Sequence, residues 1–205
     1  MSNIACIVEG HGEVEAVCIL LRRIGENLDD PVYPSILPPM RIPSTRLIKK
    51  GELERAVELA ARKLGRNGAI LILLDCEDDC PGKLGPELLT RARTARDDRA
   101  IAVVLAKREY ESWFLASAES LRGKRGLKSD ITPPQQPEEI RDAKGWLSSH
   151  MEMGESYSET TDQPALTALF DMRSARATDS FDKCYREVVA LLKLSAEREI
   201  NLSAD

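Results

Sequence analysis

The stretch that decides the fold is Ile4 to Glu15, I-A-C-I-V-E-G-H-G-E-V-E. An apolar run ends on a carboxylate, Glu9, and two glycines then turn the chain into an amphipathic segment. This pattern predicts a buried strand, a tight turn and a helix. Glu9 would then lie at the carboxyl end of the strand, where open α/β sheets bind their ligands.

Two later segments repeat this arrangement of an apolar run followed by an acid. Ala69 to Leu74 ends at Asp75, and Ile101 to Ala106 leads into Glu109. Continuous apolar runs are typical of strands that are buried on both faces of a parallel sheet. Because helical patterns alternate with these strands, the sequence predicts an α/β fold with a mostly parallel sheet flanked by helices.

The rest of the chain is predicted to be largely helical. A short edge strand is expected around residues 33–37, within a proline-rich segment, and a long loop over 122–137. We therefore divide the chain into an α/β core at residues 1–121 and a loop with a helical C-terminal extension at 122–205, packed as one structural unit. Apolar residues at three- and four-residue spacing predict helices at 13–28, 52–64, 86–96, 109–121, 138–151, 163–175 (after an N-cap at Asp162) and 181–198.

Composition excludes several classes of protein. A hydrophobic content of 42% and a charged content of 31% suit a soluble globular chain, and 4% aromatic residues argue against a platform that stacks bases. No apolar run is long enough to span a bilayer, and the start lacks the pattern of a signal peptide, so we expect a cytoplasmic protein without a membrane partner. Zinc at Cys76 and Cys80 is disfavoured, since a structural site needs four ligands.

The net charge of −5 hides an uneven distribution. Basic residues without intervening acids occur over 41–50 and 122–128, and these runs suit either phosphate binding or an ordinary solvated face. Acids in a basic background would suit a metal site that acts on a polyanion. Nine acids lie at or near the ends of the three apolar runs, and together they carry more negative charge than the net charge of the whole chain: Glu9, Glu13, Glu15, Asp75, Glu77, Asp78, Asp79, Glu109 and Glu111.

The glycine turn after the first strand does not fit a nucleotide-binding loop. Gly10 and Gly12 match the first half of G-x-G-x-x-G, but Glu15 occupies the place of the third glycine. Three acids would also surround the bound pyrophosphate with negative charge. The turn is therefore expected to present Glu9 to a cation, or to an anion that a cation bridges.

The second motif is L-L-D-C-E-D-D, with Asp75, Glu77 and Asp79 at alternate positions. In an extended segment, alternate side chains point to the same side, so the three carboxylates could converge. Hard oxygen ligands of this kind suit Mg²⁺ or Mn²⁺.

The third motif is R-E-Y-E-S-W-F-L-A, in which either Glu109 or Glu111 could complete a metal shell. Lys107 and Arg108 precede it and could contact phosphate. The same acids would also suit the first turn of a helix for dipole reasons alone. His11, beside the first strand end, could contact phosphate or be an ordinary turn residue.

Together these motifs resemble the Toprim-like fold found in topoisomerases, primases and the nucleases of the OLD (overcoming lysogenisation defect) family. The likeness rests on V-E-G-x-x-E, D-x-[DE]-x-D and E-x-E-x-W-x-L, and is closer to uncharacterised bacterial Toprim-like proteins often seen beside ATPases. It extends to Lys144, Tyr157, Gln163 and S-F-D at residues 180–182. Glu77 departs from the pattern, which usually has aspartate there.

The resemblance implies a Mg²⁺- or Mn²⁺-dependent phosphodiesterase or nuclease acting on DNA or RNA, in phage defence or DNA repair. The alternatives are a non-catalytic partner of an ATPase and a small-nucleotide phosphohydrolase. Oligomeric state is left open. The resemblance implies that Glu9 is the general acid/base or a metal ligand and that Asp75 and Glu77 are metal ligands supported by Asp79. Glu13 and Glu109 are further candidates for catalysis, and His11, Lys107, Arg108 and Lys144 are candidates for phosphate contact.

Overall fold

The structure, a computed structural model, describes residues 3–202 and the side chains up to residue 194. Its centre is a sheet of five parallel strands in the order β2-β1-β4-β5, with β3 also paired to β1. The strands are β1 (Asn3–Val8), β2 (Ser35–Ile36), β3 (Met40–Arg41), β4 (Ala69–Asp75) and β5 (Ala100–Ala106).

Helices cover both faces of the sheet. They are α1 (His11–Glu26), α2 (Ser44–Leu47), α3 (Glu52–Leu64), α4 (Pro81–Ala95), α5 (Ser112–Ala116), α6 (Ala143–Ser149), α7 (Glu159–Leu169), α8 (Met172–Ala175) and α9 (Asp179–Leu202). Two short 3-10 helices lie at Ala118–Leu121 and Pro137–Glu139. The predicted α/β class, with a parallel sheet flanked by helices and a helical C-terminal region, is confirmed.

Alternate residues of each central strand enter two separate cores. On one face, Leu71 and Leu73 of β4 belong to a core with α1, α5, α7 and α9. On the other face, Ile70 and Ile72 pack with α3 and α4. Because both faces are apolar, each strand is a continuous hydrophobic run, as expected for a buried parallel strand.

The edge strand predicted at 33–37 is confirmed as β2, and a second short strand that was not predicted, β3, follows it. Ser35 and Ile36 pair with the start of β1, and Met40 and Arg41 pair with its end. Pro38 and Pro39 lie between the two strands, and neither has a backbone N–H to donate to the ladder. The prolines therefore separate β2 from β3.

Several predicted helix bounds were wrong. Only α3 matches its predicted range, 52–64. Helix α4 begins at Pro81, where proline suits the first turn, and α5 is much shorter than the 109–121 prediction. Helix α6 occupies only half of 138–151.

The predicted helix at 163–175 is two helices. α7 begins four residues earlier, at Glu159, and the chain leaves the helical conformation at Phe170 before α8. Asp162 is not the N-cap; it lies in the first turn and accepts a hydrogen bond from the N–H of Ser158. The predicted loop at 122–137 is confirmed as irregular, with one bridge from Leu127 to Met151.

Helices from the region after residue 121 pack against one face of the sheet. Helix α9 packs on β5 and β4, and α7 packs on α1. Phe170, Phe181 and Val188 are fully buried in the same core as β1 and β4. Within residues 3–202, no helix combines the length and hydrophobicity needed to cross a bilayer.

Candidate active site

The ends of three neighbouring strands meet at one edge of the sheet. Asp75 is the last residue of β4, Glu9 follows β1, and Glu109 lies three residues beyond β5. A cavity of about 260 Å³ opens at this edge. Its walls mix acids and bases: Asp75, Glu77, Asp78, Arg108, Glu109, Arg141 and Lys144.

Asp75 is held at the wall of this cavity by the backbone of the next strand's loop. The N–H of Tyr110 donates to Asp75 Oδ1 at 2.8 Å. Burial raises the pKa of Asp75 well above its usual value, and the charges of Glu13 and Glu111 raise it further, while Lys144 lowers it. The acids that raise the pKa of Asp75 thus come from the first and third motifs.

Glu13 closes the turn that follows β1. Its Oε2 accepts hydrogen bonds from the N–H of Glu9 at 2.9 Å and of Gly10 at 3.3 Å, which satisfies amides at the start of α1. The side chain is buried, with 2% exposed. Burial raises the pKa of Glu13 to about 7, although the two amide hydrogen bonds oppose this shift.

Glu9 is only partly satisfied by its surroundings. Ser44 Oγ donates to Glu9 Oε1 at 2.5 Å. Glu9 Oε2 is buried and has no hydrogen-bond partner among the residues that the structure describes. A buried carboxylate oxygen without a donor is costly, so this atom is a candidate ligand for a cation.

Glu111 is a second buried acid with an unsatisfied oxygen. Tyr157 donates its hydroxyl proton to Glu111 Oε1 at 2.8 Å, while Glu111 Oε2 is without a partner in the described part of the chain. Burial raises the pKa of Glu111 to about 7; the charge of Lys144 and the hydrogen bond from Tyr157 counteract this. The carboxylate is fully enclosed.

Lys144 places a positive charge among these acids. It lies in the first turn of α6, which Asp142 caps by accepting the N–H of Gly145. Lys144 Nζ donates to Glu159 Oε2 at 3.1 Å. Burial lowers the pKa of Lys144, but Glu111 and Glu159 more than offset it and the pKa is raised. The amine is therefore a permanent cation at neutral pH.

The loop after β4 turns sharply, so the predicted extended D-x-E-x-D arrangement is wrong. Glu77 has φ +46°, and its N–H donates to the carbonyl of Arg108 at 3.0 Å. Arg108, with φ +67°, donates from Nη1 back to the carbonyl of Glu77 at 2.9 Å. The turn separates the carboxylates: Asp75 and Glu77 line the cavity, but the exposed Asp79 does not.

The other predicted residues divide into two groups. Arg108, Glu109 and Lys144 line the cavity, and the backbone N–H of Lys144 donates to Glu109 Oε2 at 3.3 Å. His11 is exposed at the first position of α1 and does not line the cavity. Lys107 also lies outside it, because its amine pairs with Glu139.

Three participants were not predicted: Asp78, Arg141 and Glu159. Glu159 accepts the N–H of Gly12 at 3.3 Å and so connects the start of α7 to the turn after β1. Asp78 lies inside the second acidic motif but was assigned no role, whereas Arg141 and Glu159 lie in charged segments that resemble an ordinary solvated surface.

No group of three or more His, Cys, Asp or Glu side chains within the described ranges is placed so that it could hold a metal ion. The fold and the site thus define a class: an α/β protein with a parallel sheet whose strand ends form a cavity of mixed acids and bases.

The chain belongs to the family described as domain of unknown function DUF4276, whose model matches residues 8–188. Neither a curated protein nor a solved structure matches the chain. The family description names no activity.

Proposed function

We propose that this chain is a Toprim-like phosphodiesterase that depends on Mg²⁺ or Mn²⁺ and cleaves nucleic acid. The observation that carries the proposal is that one cavity is lined by Asp75 and Glu77 together with Arg108, Arg141 and Lys144. Carboxylates beside several cations are the groups needed to hold a metal and a phosphate together.

The donor set fits Mg²⁺. This ion commonly uses only one or two protein carboxylates and takes its other ligands from water and substrate phosphate, so a three-residue group is not required. Asp75 and Glu77 would hold it; Glu9, whose Oε2 is unsatisfied, does not line the cavity. A divalent ion bound there would polarise the phosphoryl group as a Lewis acid.

The chain's own cations would position the substrate. Arg108, Arg141 and Lys144 offer cationic donors to phosphate oxygens. Glu111 is fully buried and does not line the cavity, so it would act on the site only through its charge, which raises the pKa of Asp75.

A second candidate is a non-catalytic subunit that works with an ATPase. The observation in its favour is Lys144, whose ammonium group is already bound to Glu159 and lies in the field of Asp75 and Glu111. A built-in cation can compensate buried acids without a metal. The ATPase partner and a cytoplasmic location stay predictions.

The test is hydrolysis of DNA, RNA and nucleotide esters with Mg²⁺ or Mn²⁺, combined with calorimetric titration of the metal. We expect Asp75→Asn to lower cleavage by about a hundredfold or more and to weaken metal binding, because it removes a charged ligand. Asp130→Asn, at an exposed loop position away from the cavity, is the matched control. Cleavage of no substrate by the wild type, or equal rates in wild type and Asp75→Asn, would count against the enzyme and favour the subunit.

A further inference from the structure

Asp78 holds two arginines together at the cavity. Its carboxylate contacts the guanidinium of Arg108, and Arg141 Nη1 lies 2.9 Å from Oδ1 and 3.1 Å from Oδ2. All three side chains line the cavity that contains Asp75. One carboxylate thus occupies the space between two groups that would each bind a phosphate oxygen.

Arg108 is the fixed member of this set. Its side chain is only 17% exposed, and Nη1 is tied to the carbonyl of Glu77 at 2.9 Å. The positive φ of Arg108 is unfavourable for a residue with a side chain, and such strain is concentrated at ligand-binding positions. Its Nε is buried and makes no hydrogen bond to any residue that the structure describes.

Asp78 and Arg141, in contrast, are easily displaced. Their side chains are 68% and 70% exposed. Ion pairs at such positions contribute little to stability, because water screens them and both side chains lose freedom. An anion of higher charge could therefore replace Asp78 at small cost.

We propose that Arg108 and Arg141 form a phosphate-binding clamp and that Asp78 fills it in the free protein in place of a substrate phosphate. The inference rests on the proposed function, since the clamp and the acids share one cavity. The ligand class is a phosphate ester, because phosphate presents more oxygens to two arginine forks than a single carboxylate does, and a terminal phosphate monoester also carries more charge.

The chain contains a matched control for this arrangement. On α9, Asp182 also bridges two arginines, at 2.9 Å from Arg176 and 2.8 Å from Arg186. None of these three residues lines the cavity. Asp78→Ala and Asp182→Ala change the net charge equally, so a difference between them reports the site and not the overall charge.

The experiment is titration of the full chain with inorganic phosphate at low ionic strength, with a chelator present, followed by ³¹P NMR. Asp78→Ala should bind phosphate about two- to fivefold more tightly, since an exposed ion pair no longer competes. Arg141→Ala should bind about tenfold more weakly, since a charged hydrogen bond is lost. Asp182→Ala and Arg186→Ala should match the wild type.

Unchanged or weaker phosphate binding in Asp78→Ala, or an equal gain in Asp182→Ala, would overturn the clamp. Because no metal or cleavage is involved, the clamp and the enzyme can fail separately. If Asp78→Ala binds phosphate more tightly but the wild type hydrolyses no substrate, the clamp is supported and the enzyme is not. If Asp75→Asn abolishes hydrolysis but Asp78→Ala leaves phosphate binding unchanged, the enzyme is supported and the clamp is not.

Two oligonucleotides distinguish the source of the phosphate, one with a 5′-phosphate and one with a 5′-hydroxyl. If the 5′-phosphate increases affinity and Arg141→Ala abolishes this increase, the clamp binds a terminal phosphate. Equal affinity for both, lowered equally by Arg141→Ala, supports a clamp for a phosphate within the chain. Affinity that Arg141→Ala leaves unchanged for both would contradict the clamp.

Discussion

At the scale of single residues, Gly12 shows how closely the chain packs beside the cavity. A Cβ atom at this position would lie 2.3 Å from the carbonyl oxygen of Glu159 and 2.3 Å from Oε1 of Gln163. The glycine is needed because α7 approaches the start of α1 at backbone distance. In the same turn, the N–H of Gly12 donates to the carboxylate of Glu159.

We expect Gly12→Ala to lower the free energy of unfolding by about 2 to 3 kcal/mol, because backbone must move to make room for the methyl group. Urea denaturation measures this directly. Gly82→Ala is the control: Gly82 is also the second residue of a long helix, but its nearest neighbour would be Cys80 Sγ at 3.9 Å. Equal stability of the two variants would show that α7 does not press on α1 here.

At the scale of elements, Arg91 joins α3 and α4 on the far face of the sheet. Its Nε and Nη2 donate to the two oxygens of Glu54 at 2.9 and 3.2 Å, and the guanidinium also reaches the carbonyls of Ile48 and Lys49. The hydrogen bonds from Arg91 lower the pKa of Glu54 to about 2. The ion pair therefore depends on pH.

Glu54→Gln should cost about 1 kcal/mol of unfolding free energy at pH 7, a value kept small because the pair is partly exposed. Since the pKa of Glu54 is lower in the folded state, the stabilisation is present above the unfolded value near 4.3 and is lost as pH falls toward about 2. Urea unfolding at pH 7, 4 and 2.5 measures the trend. Glu15→Gln, exposed on α1, is the control and should differ equally little from the wild type at all three pH values.

At the scale of the whole molecule, two cores share one sheet. Leu71 contributes to one core and Ile72 to the other, so both cores depend on side chains of β4. The C-terminal helices supply much of the cover on the α1 side, where Trp113 of α5 stacks edge-to-face on Phe181 of α9 and donates from Nε1 to Ser180. The region after residue 121 is thus integral to the hydrophobic core.

A fragment ending at residue 121 should therefore fail to fold cooperatively, because the face of β4 and β5 beneath α9 would be exposed to water. Near-ultraviolet circular dichroism and thermal melting of this fragment and of the full chain measure the difference. A sharp melting transition in the fragment would instead mark residues 1–121 as an independent domain.

Sequence alone determined the sheet and the acids at its edge. Apolar runs and helical spacing are local patterns set by burial, so β1, β4, β5 and α3 could be located without tertiary information. Parallel strands share one carboxyl edge, and for that reason Asp75 and Glu109 could be assigned to a common cavity before their contacts were known.

The tertiary structure alone decided which charges complete the cavity. Glu77 leaves the extended conformation because its backbone pairs with Arg108, thirty-one residues away in sequence. Arg141 lines the cavity, and Glu159 lies outside the lining but binds Lys144. Both come from segments with no local signature, and only tertiary packing brings them to these positions. Such contacts depend on the packing of distant elements, and local sequence patterns carry no record of it.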